Sequence, residues 1–386
     1  MTTTPGEPTA VPSTMDDSAD HRTLRSGFTT GTAAAAAAKG AMVSLLSDAP
    51  PSRVRIAMLD TGHLDIPIHA CRRIDPHTAV CTVIKDAGDD PDATHKAEIG
   101  ARVTLNTEPP GETDIRIFGG EGVGRVTKPG LEIPPGEPAI NPGPRRMIHR
   151  AVSDVLTEFS KIASVDVEIF VPEGLAIARR TLNARLGIVD GISILGTTGR
   201  VKPMSHAAYI ATIQAGLSVA RAAGLDRAVL TTGRRSEKHA QGLWPELPEE
   251  GFIQMGDFFK SALETAAEQG FSSITLTVFF GKAVKMAQGF PHTHAAKARL
   301  TLHKLADWAL ETTGDESLSE SIFEANTARH AFEFIHPRHP VLIAEVGRRM
   351  TASARKFAGP TVHIQGIILD FEGAPIFDSD SEGSPA

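Results

Sequence analysis

Two short segments combine glycine with hydroxyl or charged residues, as the ligand-binding turns of many enzymes do. Gly196-Thr197-Thr198-Gly199 follows a β-rich run and precedes a helix-forming run, and Gly233 occupies the same position in TTGRRSE. Ligands of open α/β sheets lie at the carboxyl ends of the strands. Either turn alone is compatible with an ordinary βα loop. Because there are two, we predict that they hold a nucleoside or phosphate, with Glu237 accepting ribose hydroxyls.

A second candidate is the glycine- and proline-rich stretch 119–148, which begins GGEGVG after a predicted strand. Glycines there can expose backbone N–H groups to an anion, although the spacing is not that of a dinucleotide fingerprint. Two interpretations remain open: a stiffened binding wall for a large anion, or a structural Ω-like loop whose arginines bond carbonyl groups. The first interpretation assigns binding roles to Gly122, Gly124, Arg125, Lys128, Arg145 and Arg146.

Basic residues also cluster between residues 172 and 205, around two glycine turns. A guanidinium group binds carboxylates through two parallel hydrogen bonds. This pattern therefore predicts that an acidic ligand is held there. The arginines assigned to it are Arg179, Arg185 and Arg200.

Candidate acid–base groups lie in VIKDAGDDPDATH, residues 83–95. The spacing of its four aspartates does not fit a calcium loop, so a solvated turn with capping aspartates is favoured. Asp86 or His95 could still act as a general base. Further along, Lys282 and Lys285 precede His292 and His294, for which we favour hydrogen bonding at a helix N-terminus over metal binding.

Composition narrows the class of protein. A formal net charge of −7 argues against a general nucleic-acid binder, which needs a basic surface. The two cysteines, Cys71 and Cys81, are predicted to be buried thiols on neighbouring strands rather than a disulfide or zinc site. We find no signal-peptide pattern and no apolar run long enough to span a membrane. These features predict a cytoplasmic protein with no membrane partner.

The predicted elements divide the chain near residue 187. Residues 23–187 read as an α+β domain with antiparallel strands, beginning with a helix that Thr29, Thr30 and Thr32 precede or open. Residues 188–370 alternate strand, glycine turn and helix, which predicts an α/β Rossmann-like domain with a parallel sheet. GISILG (191–196) is taken as its first strand. Residues 1–22 and 371–386 are predicted to be disordered tails, the second acidic.

Seven strings occur in an order that closely resembles the cobalt-precorrin-5B C1-methyltransferase (CbiD) family. They are GFTTGTAAAAAAKGA, VIKDAGDDPDATH, GGEGVGRVTKPGL, PPGEPAINPGPRRMI, TLNARLGIVDGISILGTTGRVKPMS, TTGRRSE and GK..K.A.G...TH. The resemblance covers about residues 24–370. It implies transfer of a methyl group from S-adenosylmethionine to C1 of a corrin precursor, giving cobalt-precorrin-6A on the pathway to cobalamin.

The resemblance implies a particular ligand for each group of candidate residues. S-adenosylmethionine is expected at the two glycine turns, and the many-carboxylate macrocycle is expected between the halves, against the basic residues above and Thr29 and Thr30. Asp86 or Glu121 is expected to accept a proton or steady the sulfonium. No protein-bound metal is expected, and a homo-oligomer is left open. The alternatives are a tetrapyrrole-binding protein without transferase activity and an α/β enzyme for a phosphorylated substrate.

Overall fold

The computed structural model describes residues 24–106, 112–294 and 298–381, so the predicted tail at residues 1–22 lies outside the described residues. The chain is a mixed α/β protein built on two five-stranded sheets. The elements up to residue 201 are β1 (Gly27–Phe28), α1 (Thr30–Leu46), β2 (Arg53–Ala57), β3 (His63–Pro67), β4 (Ala70–Arg73), β5 (Thr78–Ile84), β6 (Glu98–Leu105), β7 (Asp114–Gly119), β8 (Arg125–Val126), α2 (Pro142–Glu158), β9 (Ser164–Phe170), α3 (Gly174–Ala178), β10 (Ile188–Val189) and β11 (Arg200–Val201).

The remaining elements alternate helices with short strands before a helical segment. They are α4 (His206–Ala222), β12 (Arg227–Thr231), α5 (Arg234–Leu243), a 3-10 turn (Glu249–Gly251), β13 (Phe252–Gln254), α6 (Phe259–Glu268), β14 (Ser273–Phe279), α7 (Phe280–Ala287), α8 (Ala298–Thr313), α9 (Glu316–Glu324), α10 (Ala328–Ile335), α11 (Pro340–Ala358), β15 (His363–Leu369) and β16 (Pro375–Asp378).

The first sheet has the strand order β4-β5-β6-β9-β7, and all its pairings are antiparallel except that between β7 and β9. Strands β2 and β3 form a separate two-stranded antiparallel ribbon. Helix α1 packs against this sheet and against α2. Its alanines, Ala33 to Ala38, are completely buried, so the helix is enclosed on all sides and small side chains let its neighbours approach closely.

The second sheet has the order β13-β12-β14-β15-β16, parallel except for the last pairing. Strand β16 lies within the segment predicted as a disordered acidic tail, and that prediction is wrong for these residues. The strand was not predicted because it is short and lies at the edge of the sheet, where it pairs with β15. The tail prediction for 382–386 lies outside the described residues.

Residues 188–201 differ most from expectation. Strand β10 pairs with β8 and strand β11 pairs with β1, while Ile192 and Ile194 belong to the hydrophobic core of the first sheet. GISILG is therefore not a strand of the parallel sheet. Its short apolar run resembles a buried strand of either sheet, and only long-range pairing distinguishes them.

The two cysteines lie on neighbouring strands, as predicted. Cys71 on β4 is directly opposite Cys81 on β5, and their sulfur atoms are in contact. Cross-strand register decides this pairing, and register is not visible in the spacing of the two residues.

Candidate functional site

The Gly196–Gly199 turn lies against the N-terminus of α1. The Gly31 N–H donates to the Leu195 carbonyl at 3.1 Å, and the Thr29 N–H donates to the Gly199 carbonyl at 3.0 Å. The Thr32 hydroxyl also donates to Gly199, at 2.7 Å. Since the turn itself satisfies these helix-terminal donors, they are not available to an anionic ligand.

Thr29 and Thr30 take part in the same contacts. The Thr29 hydroxyl accepts from the Thr32 N–H at 3.2 Å and caps the helix, as predicted. The Thr30 hydroxyl accepts from the Leu195 N–H at 2.8 Å. Both side chains are buried, so their observed partners are protein groups. The structure thus brings Thr29 and Thr30, predicted to bind substrate, together with the Gly196–Gly199 turn, predicted to bind the cofactor. Their contacts with each other hold the turn against the start of α1.

Gly233 lies elsewhere, at the carboxyl end of β12, where it opens α5. A side chain at this position would meet no atom within 4 Å, so the turn is open. Glu237, in the first turn of α5, is 6% exposed and accepts hydrogen bonds from Arg185 and Gln254. The two predicted nucleoside turns therefore belong to different sheets, and Glu237 is already paired.

The contacts of the 119–124 loop support the interpretation as a structural loop over that as a binding wall for a large anion. The N–H groups of Gly120, Val123 and Gly124 donate to carbonyls of Ile169, Gly120 and Ile192 at 2.7, 3.2 and 2.8 Å. Gly122 has φ +69°, and a Cβ there would collide with the Val171 carbonyl. The glycines are therefore required for close backbone packing, and these three N–H groups are not free to bind a ligand.

The predicted basic wall separates into three groups. Lys128 and Arg185 connect the segment before α4 to the segment after it, through Glu250 at 2.5 Å and Glu237. Three others donate to backbone carbonyls: Arg125 to Gly136 at 2.7 Å, Arg145 to Ile140 at 3.0 Å and Arg200 to His63 at 3.5 Å. Arg146 and Arg179 are exposed, and no described residue forms an ion pair with either.

Asp86 is held by Arg25 and by the Gly88 N–H, which donates at 2.9 Å. The hydrogen bonds from Arg25 lower its pKa to about 2. A carboxylate with so low a pKa stays ionised at neutral pH and is a weak proton acceptor. The general-base role predicted for Asp86 does not fit this environment, but a fixed negative charge does. Glu121 is exposed, and its role stays a prediction.

The other aspartates of this loop are used as anchors. Asp89 accepts from the Arg25 N–H at 2.6 Å, and Asp90 accepts from the Met204 N–H at 2.9 Å. Asp92 accepts from the buried Lys85 at 2.6 Å. The Asp90 contact ties the loop to the chain just before α4.

A cluster of charged and polar side chains at the edge of the second sheet was not predicted from the sequence. Lys282, at the start of α7, pairs with Asp257 and donates to the Thr293 carbonyl at 3.2 Å. Lys285 donates to the same carbonyl at 3.1 Å, and the Thr293 hydroxyl donates to Asp257 at 2.9 Å. The available signal was the Gly-Lys pair after a buried strand, but Asp257 is distant in sequence.

Four rings adjoin this cluster: His206, Tyr209, Phe258 and His292. Ring centroids lie 5.2 Å apart for His206 and Phe258, and 5.0 Å apart for Tyr209 and Phe258. His206 and His292 stack at 5.8 Å. His292 therefore contributes to a ring surface.

Within the described ranges, no group of three or more His, Cys, Asp or Glu side chains could hold a metal ion. No helix there is long and apolar enough to cross a membrane.

Comparison with known proteins gives consistent matches along the chain. The CbiD family profile matches residues 17–203, and the profile "CbiD, C-terminal domain" matches residues 292–380. "Cobalt-precorrin-5B C(1)-methyltransferase" of Nitratidesulfovibrio vulgaris is 47% identical over 92% of this chain and 93% of its own. The protein of the same name from Desulfotalea psychrophila is 44% identical over 89% and 95%.

A solved structure of the cobalamin biosynthesis protein (cbiD) from Archaeoglobus fulgidus is 28% identical, with a TM-score of 0.38 over 67% of this chain and 78% of that one. The family profiles and the nearly full-length relatives identify the chain without it: this protein belongs to the CbiD family.

Proposed function

We propose that the protein methylates C1 of cobalt-precorrin-5B to give cobalt-precorrin-6A in cobalamin biosynthesis, with S-adenosylmethionine as donor. The observation that carries this proposal is the identity of 44–47% with relatives of that name, which match over nearly their whole length. We also propose that the reaction takes place in the cytoplasm. Self-association stays a prediction that analytical ultracentrifugation would test.

The proposal includes two domains, an α+β half and a Rossmann-like α/β half. The pairings of β10 and β11 with β8 and β1 favour a boundary after Val201 rather than near residue 187. The end of the CbiD profile match at residue 203 agrees with this division. The substrate is then expected where the halves meet around Met204.

Three features support this position for the macrocycle. Met204 is 72% exposed, so its side chain offers apolar contact to a flat ring. The Met204 N–H donates to the Asp90 carboxylate, so the 86–95 loop lies beside Met204. Arg180 donates to the Ala93 carbonyl of that loop at 3.3 Å, and its neighbour Arg179 forms no ion pair with a described residue. Local cations are needed because a chain of net charge −7 repels a many-carboxylate ligand.

When bound, the donor supplies a sulfonium methyl group: a C–C bond forms at C1 as the S–CH3 bond breaks, and the sulfur keeps the electron pair as a neutral thioether. The residues of this chain position the two ligands and exclude water. Asp86, ionised at neutral pH, favours positive charge nearby, and Arg179 and Arg180 orient the ring through its carboxylates.

The direct test is to incubate the protein with cobalt-precorrin-5B and methyl-labelled S-adenosylmethionine. We expect a mass gain of one labelled methyl group at C1, seen by mass spectrometry and NMR. Binding of the macrocycle without any mass gain would instead support a tetrapyrrole-binding protein.

A variant locates the macrocycle. Arg179→Gln should raise KM for it by about 10-fold, the scale of one charge-assisted hydrogen bond, with little change in kcat. Arg116→Gln, on the edge strand β7, is the matched control and should leave both constants unchanged. Equal effects of the two variants would argue against the site around Met204.

A further inference from the structure

The cluster around Lys282 lies where the parallel strands of the second sheet end. Strand β13 leads into Gly256 and Asp257, and β14 leads directly into α7 and Lys282. Both strands pair in parallel with β12, whose carboxyl end leads into Gly233. Open α/β sheets bind nucleotide-like ligands at this edge. The cluster therefore shares the edge with the open Gly233 turn, whereas Gly196–Gly199 belongs to the other half.

Lys285 has spare hydrogen-bonding capacity. An ammonium group has three donors, yet among the described residues its Nζ bonds only the Thr293 carbonyl. The carboxylate of Asp257 is instead paired with Lys282. Burial, and then the charge of Lys282, lower the pKa of Lys285. Asp257 acts on Lys285 in the opposite direction but is shared with Lys282, so an anion bound here would add negative charge to a site with two lysines and one aspartate.

The four rings begin immediately beside these charges. Phe258 follows Asp257 in the chain, and His292 precedes Thr293. Tyr209 lies close enough for the Asp257 charge to add to the effect of burial in raising its pKa. Gly256, with φ +56°, brings the backbone to the Tyr209 hydroxyl, where a Cβ would lie 2.7 Å away. The ring surface and the charged cluster thus form one continuous site.

We propose that this site, rather than the Gly196–Gly199 turn, binds the methyl donor as an adenosyl amino acid. The ligand carboxylate bonds Lys285 Nζ, and the adenine ring packs against Tyr209, Phe258 and the two histidines. Asp257 lies where it favours the positive charge of the amino-acid portion. The inference rests on the proposed function, because it assumes such a donor.

The chemistry of the site separates two contacts that can be tested one at a time. S-adenosylhomocysteine carries both the carboxylate and the adenine, whereas adenosine lacks the carboxylate. Binding of each to the full chain is measured by isothermal titration calorimetry, without macrocycle. Lys285→Met should weaken S-adenosylhomocysteine by about 10- to 100-fold, the scale of a hydrogen-bonded charge pair, and adenosine by less than about 2-fold.

Tyr209→Ala should weaken both ligands, since both carry the adenine. Lys304→Met is the matched control, because Lys304 is an exposed lysine of α8 that pairs with Asp307 at 3.3 Å. It should leave both affinities unchanged. Lys285→Arg should recover most of the affinity for S-adenosylhomocysteine.

Thermal unfolding guards against a folding artefact. Lys285→Met removes a partly buried cation next to another cation, so its unfolding midpoint should equal or exceed that of the wild type. Equal loss of both ligands in this variant, or no loss of either, would overturn the proposal. If the wild type transfers a methyl group while Lys285→Met binds S-adenosylhomocysteine normally, the inference fails and the proposed function stands. If the wild type binds no S-adenosylhomocysteine, the inference also fails, and the mass-gain assay decides the function separately.

Discussion

At the scale of single residues, the types of side chain were readable from the sequence but their partners were not. Asp86 was predicted as a proton acceptor, yet Arg25 holds it ionised. The sequence brings Lys282 and Lys285 together on one helix, but Asp257 lies on a different loop and joins them through the fold. Partners that are far apart in sequence depend on strand order, which local patterns do not determine.

Asp86 should contribute to stability in a pH-dependent way. Its folded pKa, about 2, lies below the ordinary value of 3.8, so its contribution is present above the ordinary value and is lost as the pH falls toward 2. Asp86→Asn should therefore lower the free energy of unfolding by a constant amount above about pH 5, with the difference shrinking in acid. Urea unfolding across this range is the measurement.

Arg25→Gln provides a second check on the same group. Without the hydrogen bonds from Arg25, the folded pKa of Asp86 should rise, and the acid loss of stability should shrink. A difference between wild type and Asp86→Asn that persists unchanged down to pH 2 would contradict the assigned cause.

At the scale of elements, the long periodic segments were predictable and the short ones were not. Helix α1 and its Thr29 cap were predicted at the right place, because the helical pattern extends over many residues. The two-residue strands β10 and β11 have no period, and their partners lie far away in the sequence. Their pairing moved Gly196–Gly199 from the expected ligand edge to the start of α1.

Gly122 tests the packing role of the glycine loop. Gly122→Ala should reduce the free energy of unfolding by more than about 2 kcal/mol, because the left-handed conformation and the collision with the Val171 carbonyl both act against it. Gly136→Ala is the matched control: φ is +94° there, but a Cβ would meet nothing within 4 Å. It should cost only the backbone contribution, about 1–2 kcal/mol. Equal losses in urea unfolding would show that crowding at Gly122 is unimportant.

At the scale of the whole molecule, two of the charges predicted to bind substrate, Lys128 and Arg185, instead pair with carboxylates of the segment that follows α4. Arg185 reaches Glu237, and it donates to the Phe252 carbonyl at 2.6 Å. Lys128 reaches Glu250, whose pKa its hydrogen bond lowers. The acidic composition indicates that an anionic ligand needs clustered cations. It does not indicate which of the cations form ion pairs within the folded protein.

The Arg185–Glu237 pair should couple the halves energetically. Arg185→Met leaves a buried carboxylate without its cation, so it should destabilise the protein more than Glu237→Gln. The double variant should lose less than the sum, with a coupling of about 1–3 kcal/mol in calorimetric unfolding. The exposed pair Lys304–Asp307 is the control and should show a coupling of at most about 0.5 kcal/mol. Coupling energies of equal size would contradict a special role for the buried pair.

The enclosed alanines of α1 carry a consequence for sequence change in this protein. Ala33 to Ala38 meet neighbours on every side, so any methyl group added there displaces the sheet or α2. The same helix starts on the Gly196–Gly199 turn, so a displacement also reaches the segment that leads to Met204. A substitution at one of these six alanines can therefore disturb the macrocycle site proposed around Met204 without being part of it.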